Sequence, residues 1–195
     1  MKIMISVLAL LALPFAAAAA PETYKVDPIH SFPNFSVDHI GFSTLFGRFD
    51  KSSGNFTIDA QAKTASVEMT IDAASVDTGD HDRGGRARSR DEHLRSADFF
   101  NVAEFPTMTF KSTNVKFSGD SPAEIEGQFT MLGVTRPLTL RLERWKCGAH
   151  PFNKKQMCGG NATGVLKRTD FGMKYAVPAI SDEVKLNISF EAYRQ

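Results

Sequence analysis

Between Ser66 and Asp72 apolar and polar residues alternate without a break, Val67, Met69 and Ile71 on one parity and Ser66, Glu68, Thr70 and Asp72 on the other. Successive side chains of a strand point to opposite faces, so the segment reads as a strand with one dry and one wet face. The same period of two returns at Pro106, Met108 and Phe110, and at Ile125, Gly127, Phe129 and Met131. It returns again at Leu138, Leu140 and Leu142, and near the end at Val184, Leu186, Ile188 and Phe190. Phe35 with Val37 and Phe56 with Ile58 mark two earlier strands, and another is expected from about Asn161 to Arg168. The working count is eight strands.

Strands with one apolar face, punctuated by Gly, Pro, Asn and Asp, describe an antiparallel sheet folded over a core. A sandwich and a barrel both satisfy that pattern, and closure into a barrel removes the two exposed edges. One helical interruption is expected between Arg88 and Phe100, where the period of two lapses and Leu94, Ala97 and Phe99 or Phe100 fall on related turns. The stretch before it, Gly79 to Arg90, is charged and contains glycine, with no fold of its own in the pattern.

Composition narrows the picture. The chain has 195 residues, 42% of them hydrophobic, which suits one domain with a sizeable core and argues against disorder. Sixteen Phe against one Trp and three Tyr is the unusual feature. The 23 basic residues face 22 acidic ones with no basic block, so no nucleic-acid partner is expected.

The N-terminus runs Lys2, an apolar stretch from Ile3 to Phe15, then Ala16 to Ala20, which is the order of a secretory signal peptide. The apolar stretch is short of the roughly 20 residues of a membrane span. Residues 1–20 are therefore expected to be a signal, cut near Ala18 or Ala19, with 21–195 forming the exported domain. An uncleaved anchor is the alternative. Loss of Lys2 lowers the basic count to the acidic count of 22, so the exported domain carries no net charge.

Export fixes the redox setting of Cys147 and Cys158, which bracket a polar stretch with Gly148, Pro151, Asn153, Lys154 and Lys155. A pair of this spacing in an oxidising compartment points to a disulfide, contributing on the order of 2 to 3 kcal/mol by closing its loop. A metal site is the rival, because His150 lies three residues after Cys147. It lacks a fourth ligand and paired C-x-x-C spacing.

Chemistry is sparse elsewhere. The chain has no G-x-S-x-G elbow, H-E-x-x-H, P-loop, G-x-G-x-x-G or C-x-x-C-H, so no catalytic residue, resident metal or cofactor is assigned and no enzyme activity is expected. Asp80, His81 and Asp82 are adjacent in a polar loop, where solvent exposure is the default. Asn34, Asn55, Asn161 and Asn187 begin incidental N-x-S/T triplets. His39 shares a face with Phe35 and Val37, which points to a hydrogen-bonded histidine turned into the barrel. Arg95 has helical spacing to Asp91 and Asp98, an ion pair or a head-group clamp. Arg83, Arg86, Arg88 and Arg90 form either a solvated charged loop or an attractor for an anionic group.

Together these residues carry a resemblance. The run Asp91-Glu92-His93-Leu94-Arg95-Ser96-Ala97-Asp98-Phe99-Phe100-Asn101, followed by Phe105-Pro106-Thr107-Met108-Thr109-Phe110-Lys111-Ser112, resembles the central signature of the YceI-like polyisoprenoid-binding family. His30 with Asn34 to Gly41 resembles its first strand, Gly133 to Leu140 its hairpin motif and Arg168-Thr169-Asp170-Phe171-Gly172 its late turn. The pieces stand in the family's order and span essentially the whole exported chain. The resemblance implies an all-β fold, a single eight-stranded antiparallel lipocalin-like barrel with a short helical insertion, secreted to the bacterial periplasm. It also implies an elongated apolar cavity for a polyisoprenoid or similar amphiphile. The stretch from Cys147 to Cys158 departs from the family and is expected to alter one rim, at the head-group end.

Phe32, Phe35, Phe42, Phe46, Phe49 and Phe56 crowd the first third of the exported chain, and flat apolar side chains wall a tube by area contact. An eight-stranded barrel is either filled by side chains or holds one small ligand. Each isoprene removed from water contributes on the order of 2 to 3 kcal/mol before ordering costs. The expected ligand contacts are Phe32, Phe35, Val37, His39, Phe42, Phe46, Phe49, Arg95 and Phe99. The expected function is a periplasmic binding protein that sequesters or transports an isoprenoid-like lipid, with a transient inner-membrane partner. The alternatives are a stress-induced scavenger of diverse amphiphiles and an accessory protein acting on a bound isoprenoid quinone. The pattern leaves the oligomeric state open, a dimer among the options.

Overall fold

The computed structural model describes residues 20–195, so the expected signal peptide lies almost wholly outside the described residues. Eleven strands form one antiparallel sheet: β1 (Glu22–Val26), β2 (Phe32–His39), β3 (Ser43–Phe49), β4 (Ser52–Asp59), β5 (Thr64–Asp72), β6 (Val76–Asp77), β7 (Thr107–Ser118), β8 (Ser121–Met131), β9 (Val134–Ala149), β10 (Gln156–Lys167) and β11 (Ile180–Arg194). Pairing runs β1-β4-β5-β7-β8-β9-β10-β11 and β11 returns to β1, closing an eight-stranded barrel.

Eleven strands make eight staves because the first three are each broken. β11 pairs with β2 through Val184–Ser189 and with β1 through Ala192–Arg194, so β1 and β2 are one stave interrupted at residues 27–31. β3 and β4 are a second, and β5 and β6 a third, broken by a 3-10 turn at Ala73–Ser75. The three breaks lie side by side and are stitched together: Asp50 N–H donates to Ser75 O, Lys51 N–H to Ser75 Oγ, Asp72 N–H to Lys51 O and Ser52 Oγ to Ser31 O. The expected eight strands correspond to these eight staves. The extra strand ends arise because chain irregularities of this kind bend and twist a wall without ending it.

Above the breaks β6 pairs with β3 but finds no partner in β7. The strap of residues 78–106 fills that gap. Its helix α1 (Arg90–Arg95) starts at Ser89, which accepts from Glu92 N–H while the Glu92 carboxylate accepts from Ser89 N–H, a reciprocal capping box. The helix expected over Arg88–Phe100 is thus one short piece, and tight turns beyond Ser96 replace the rest. Ser96 ends it: its backbone is extended, and its N–H (3.0 Å) and hydroxyl (2.7 Å) both donate to His93 O, while the Arg95 guanidinium reaches back to Ala74 O (2.8 Å) and Val76 O (3.0 Å) and ties the helix to the third stave. The expected pairs of Arg95 with Asp91 or Asp98 do not form. Phe49 packs edge-on to Phe100 (5.3 Å between centroids), so the strap also contributes core.

Cys147 and Cys158 form a disulfide and are register partners in the β9–β10 hairpin, with Cα atoms 4.0 Å apart. The metal alternative is thereby excluded: both sulfurs are used, and His150 Nδ1 accepts from the Phe152 and Asn153 N–H groups. The bond lies at the lower end of the barrel, opposite the strap, because β9 and β10 meet the strap level at Val134 and Lys167. The rim it shapes is therefore the one away from the polar mouth.

Candidate functional site

The inward residues of the staves enclose an elongated cavity of about 660 Å³, within the range of small-molecule sites. Its lower end is an aromatic plug. Phe56 meets Trp145 at 5.6 Å and Phe190 at 6.4 Å, both edge-on, and Tyr24 stacks on Phe56 at 5.0 Å from the surrounding core. Burial and a hydrogen bond to Glu22 push the Tyr24 phenol up to about 12. The middle is aliphatic and thioether, lined by Met69 on β5, Met108 on β7 and Leu140 on β9. Glycine allows the walls to pack at one close approach: Gly47 is the register partner of Phe35, and a Cβ there would run into the Phe35 ring.

Polar groups gather at the upper end, almost all on the strap and the facing loop. The wall there includes Thr78, Asp80, Arg90, His93, Arg168 and Tyr175. His93, Phe99 and Tyr175 form an aromatic triangle, with ring centroids 4.9 to 5.2 Å apart, that joins the strap to the loop of residues 172–179 across the mouth. That loop is held by Arg168, which is buried and donates to the carbonyls of Ser181 (2.9 Å), Ile180 (2.9 Å), Tyr175 (2.8 Å) and Met173 (3.4 Å). Burial pulls the Arg168 pKa down, with the Asp182 charge acting against it.

Most strap cations are neutralised in place. Arg86 pairs with Asp80 at 2.8 Å and holds its carboxyl below the usual range, and Arg88 does the same to Asp98 at 2.9 Å with help from His93. Arg83 chelates Glu92, which with the Ser89 N–H lowers that carboxyl to about 2. Arg90 differs. Its guanidinium donates to Thr78 Oγ1 (2.7 Å) and Thr78 O (2.9 Å) and forms no carboxylate ion pair among the described residues. Of the cavity-wall arginines, it and the carbonyl-bound Arg168 are the two without a carboxylate ion pair among the described residues.

Of the residues expected from sequence, Phe35, Val37, His39, Phe49 and Phe99 stand on the inner wall. Phe46 borders the cavity from the other face, turned outward by the parity of Leu45 and Phe49 and 70% exposed. Phe32 lies outside, beneath the Arg48 guanidinium at 5.1 Å, because it sits three residues from Phe35 on the opposite parity. Phe42 is 90% exposed in the β2–β3 turn, and Arg95 is spent on the third stave. His39 makes no side-chain hydrogen bond among the described residues, contrary to expectation. His30 sits in the break of the first stave, away from the cavity, where Asp27 at 2.8 Å raises its pKa. Trp145, His93, Arg90, Arg168 and Tyr175 were not singled out as ligand contacts. Only Arg168 in its late turn, His93 in the central signature run and Arg90 in the charged stretch carried any signal.

The chain matches the model of the YceI-like domain over residues 24–192, nearly the whole barrel. It is 41% identical over 187 residues to a UPF0312 protein of Pseudomonas aeruginosa, covering 94% of this chain and 93% of that protein. Among solved structures it resembles the Campylobacter jejuni YceI protein, with a TM-score of 0.66, 27% identity, and coverage of 81% of this chain and 90% of that one. It also resembles a polyisoprenoid-binding domain from Saccharophagus degradans, with a TM-score of 0.60 at 18% identity over 88% of this chain and 98% of that one, a likeness of fold. A closed barrel with an apolar bore, a strap over one mouth and a family match running from the first stave to the last leave one assignment: this chain belongs to the YceI-like family.

Proposed function

We propose that this protein is exported to the periplasm and carries one isoprenoid-like amphiphile in its barrel, without chemistry. The observation that carries the reading is the polarity of the cavity: an apolar bore closed below by Phe56, Trp145 and Phe190, with its polar wall collected under the strap. A chain threaded tail-down buries its methyl branches against Met69, Leu140 and Phe110 and leaves its head beside Arg90 and His93. The polyisoprenoid-binding domain of similar fold supports this class of ligand. Ile40, Phe42 and Phe46, 50%, 90% and 70% exposed, flank the same mouth and offer an apolar tip to the inner membrane during loading.

Native mass spectrometry of the protein purified from its own host, followed by lipid extraction, is the test. A single co-purifying lipid is expected. The variant Ala162→Trp, which fills the bore from the buried Ala162 on β10, is expected to purify without it. Recovery of no lipid from the unaltered protein, or equal lipid from the filled variant, refutes the proposal.

A further inference from the structure

Three side chains outside the bore converge where the third stave meets the strap. Asp77 ends β6, His81 stands in the strap and Asp91 occupies the first turn of α1, with one donor atom from each lying within 4.8 Å of the others. Asp91 is 1% exposed. Its Oδ1 accepts from Thr78 N–H (3.0 Å) and Thr78 Oγ1 (2.5 Å), but its Oδ2 is fully buried and receives no hydrogen bond. That oxygen faces His81 Nδ1 at 3.1 Å, while His81 Nε2 lies 3.5 Å from Asp77 Oδ1.

A buried carboxylate oxygen without a donor is costly, and native proteins seldom leave one so. The imidazole does not resolve it alone, because in its neutral form it carries one N–H and faces two carboxylates. A divalent cation resolves both. Ligand atoms on a tetrahedral ion with bonds of about 2.0 to 2.2 Å stand roughly 3.3 to 3.6 Å apart, and one donor atom from each of the three residues already lies within 4.8 Å of the others, so a modest closing-in forms the site. His81 is 66% exposed, and a turn about χ2 aims one nitrogen between the carboxylates. Asp77 Oδ1 also accepts from Gly79 N–H (2.7 Å), and Arg48 Nη2 approaches the other oxygen of that carboxyl at 3.6 Å, which leaves Oδ1 to face the site. One imidazole with two carboxylates suits zinc, since calcium and magnesium prefer oxygen alone.

We propose that Asp77, His81 and Asp91 bind one Zn²⁺, completed by water, which pins the strap to the end of β6. The ion closes a link between three segments that otherwise meet through Thr78 and Arg95. It acts on the strap and not on the lipid, so it stands independently of the carrier reading.

The experiment is isothermal titration of ZnCl₂ into the chelator-treated full chain, with bound metal counted by mass spectrometry and hydrogen exchange followed over residues 78–95. One zinc per chain and slower exchange of the strap on binding are expected. His81→Ala, on an exposed side chain that leaves the barrel folded, is expected to weaken binding at least tenfold and to abolish the change in exchange. Asp91→Asn is expected to do the same. Absence of zinc binding overturns the proposal. So does one-zinc binding undiminished in His81→Ala, which places the ion elsewhere, such as at Asp27, His30 and Glu191.

Discussion

Replacing Arg168 by Met tests how the mouth is held. The guanidinium is 3% exposed and makes three hydrogen bonds of 2.8 to 2.9 Å to carbonyls of residues 175, 180 and 181, with a longer one to Met173. A bond to a charged donor contributes about 1.5 to 3 kcal/mol. The lower figure applies here, since removing Arg168 also relieves the desolvation of a buried charge and the freed carbonyls sit in a loop able to reach water. Three bonds at about 1.5 kcal/mol each give a loss of about 4.5 kcal/mol, a large part of the roughly 5 to 15 kcal/mol of a typical domain. Urea unfolding followed by circular dichroism measures it, and hydrogen exchange locates it. Exchange is expected to accelerate at residues 172–181 well beyond the β8–β9 hairpin, and bound lipid to dissociate faster as Tyr175 leaves His93 and Phe99. Arg168→Lys, a point charge without the planar fork, is expected to lose about half as much. A loss under about 1 kcal/mol in Arg168→Met, or exchange unchanged in that loop, refutes the role given to the carbonyl cage.

Opening the disulfide with Cys147→Ser and Cys158→Ser together should lower stability by about 3 kcal/mol in urea, the chain-entropy figure for a separation of 11 residues, and leave lipid occupancy unchanged because the bond sits at the far end from the mouth. Glu92 titrates near 2 when folded against an ordinary 4.5, so its contribution to the capping box is complete above about 4.5 and lost as pH falls from there toward 2. Carboxyl NMR should place that titration near 2, and Glu92→Gln should abolish the acid-induced loosening of α1; a midpoint at the ordinary value sinks the claim. Arg90→Gln should weaken a lipid with an acidic head at least tenfold and its alcohol analogue less than threefold, measured by competition. Equal losses for the two would remove Arg90 as the head-group cation.

How much of this was legible in the sequence divides by the physics involved. Alternation is a local signal, so all eight staves could be read, and the same parity excludes Phe32 from a wall containing Phe35 and Val37. The breaks at residues 27–31, 50–51 and 73–75 exist because they bond to one another across neighbouring staves, and no window of sequence holds both halves of such a contact. Residues 90–95 form a helix with a visible capping box, yet where it docks is set by Arg95 reaching a stave twenty residues upstream, outside any window that holds the helix. The phenylalanine cluster named the bore correctly in part: Phe35, Phe49 and Phe56 line it, whereas Phe42 and Phe46 are mainly solvent-facing. Arg168 and Asp91 fall within family-like runs, but that both side chains are buried depends on distant segments that no window of sequence shows.

The two ends of the barrel are held by different forces, and that difference bears on how a ligand enters. The lower end is closed by ladder hydrogen bonds around the full ring, a disulfide, and the packed rings of Tyr24, Phe56, Trp145 and Phe190, so opening it means separating staves. The upper end is closed by the strap and the 172–179 loop, which lie outside the strands and are tied to the staves by a few bonds: Arg95 to the carbonyls of residues 74 and 76, Arg168 to those of residues 173, 175, 180 and 181, and the backbone bonds Ala73 N–H to Pro106 O and Ile40 N–H to Ala179 O. Segments secured by a few discrete bonds open locally at a fraction of the global free energy. Arg90 and His93 lie beneath those segments, so the weaker end is also the polar one. A tail-first lipid then enters where the wall yields without unzipping and comes to rest where it does not.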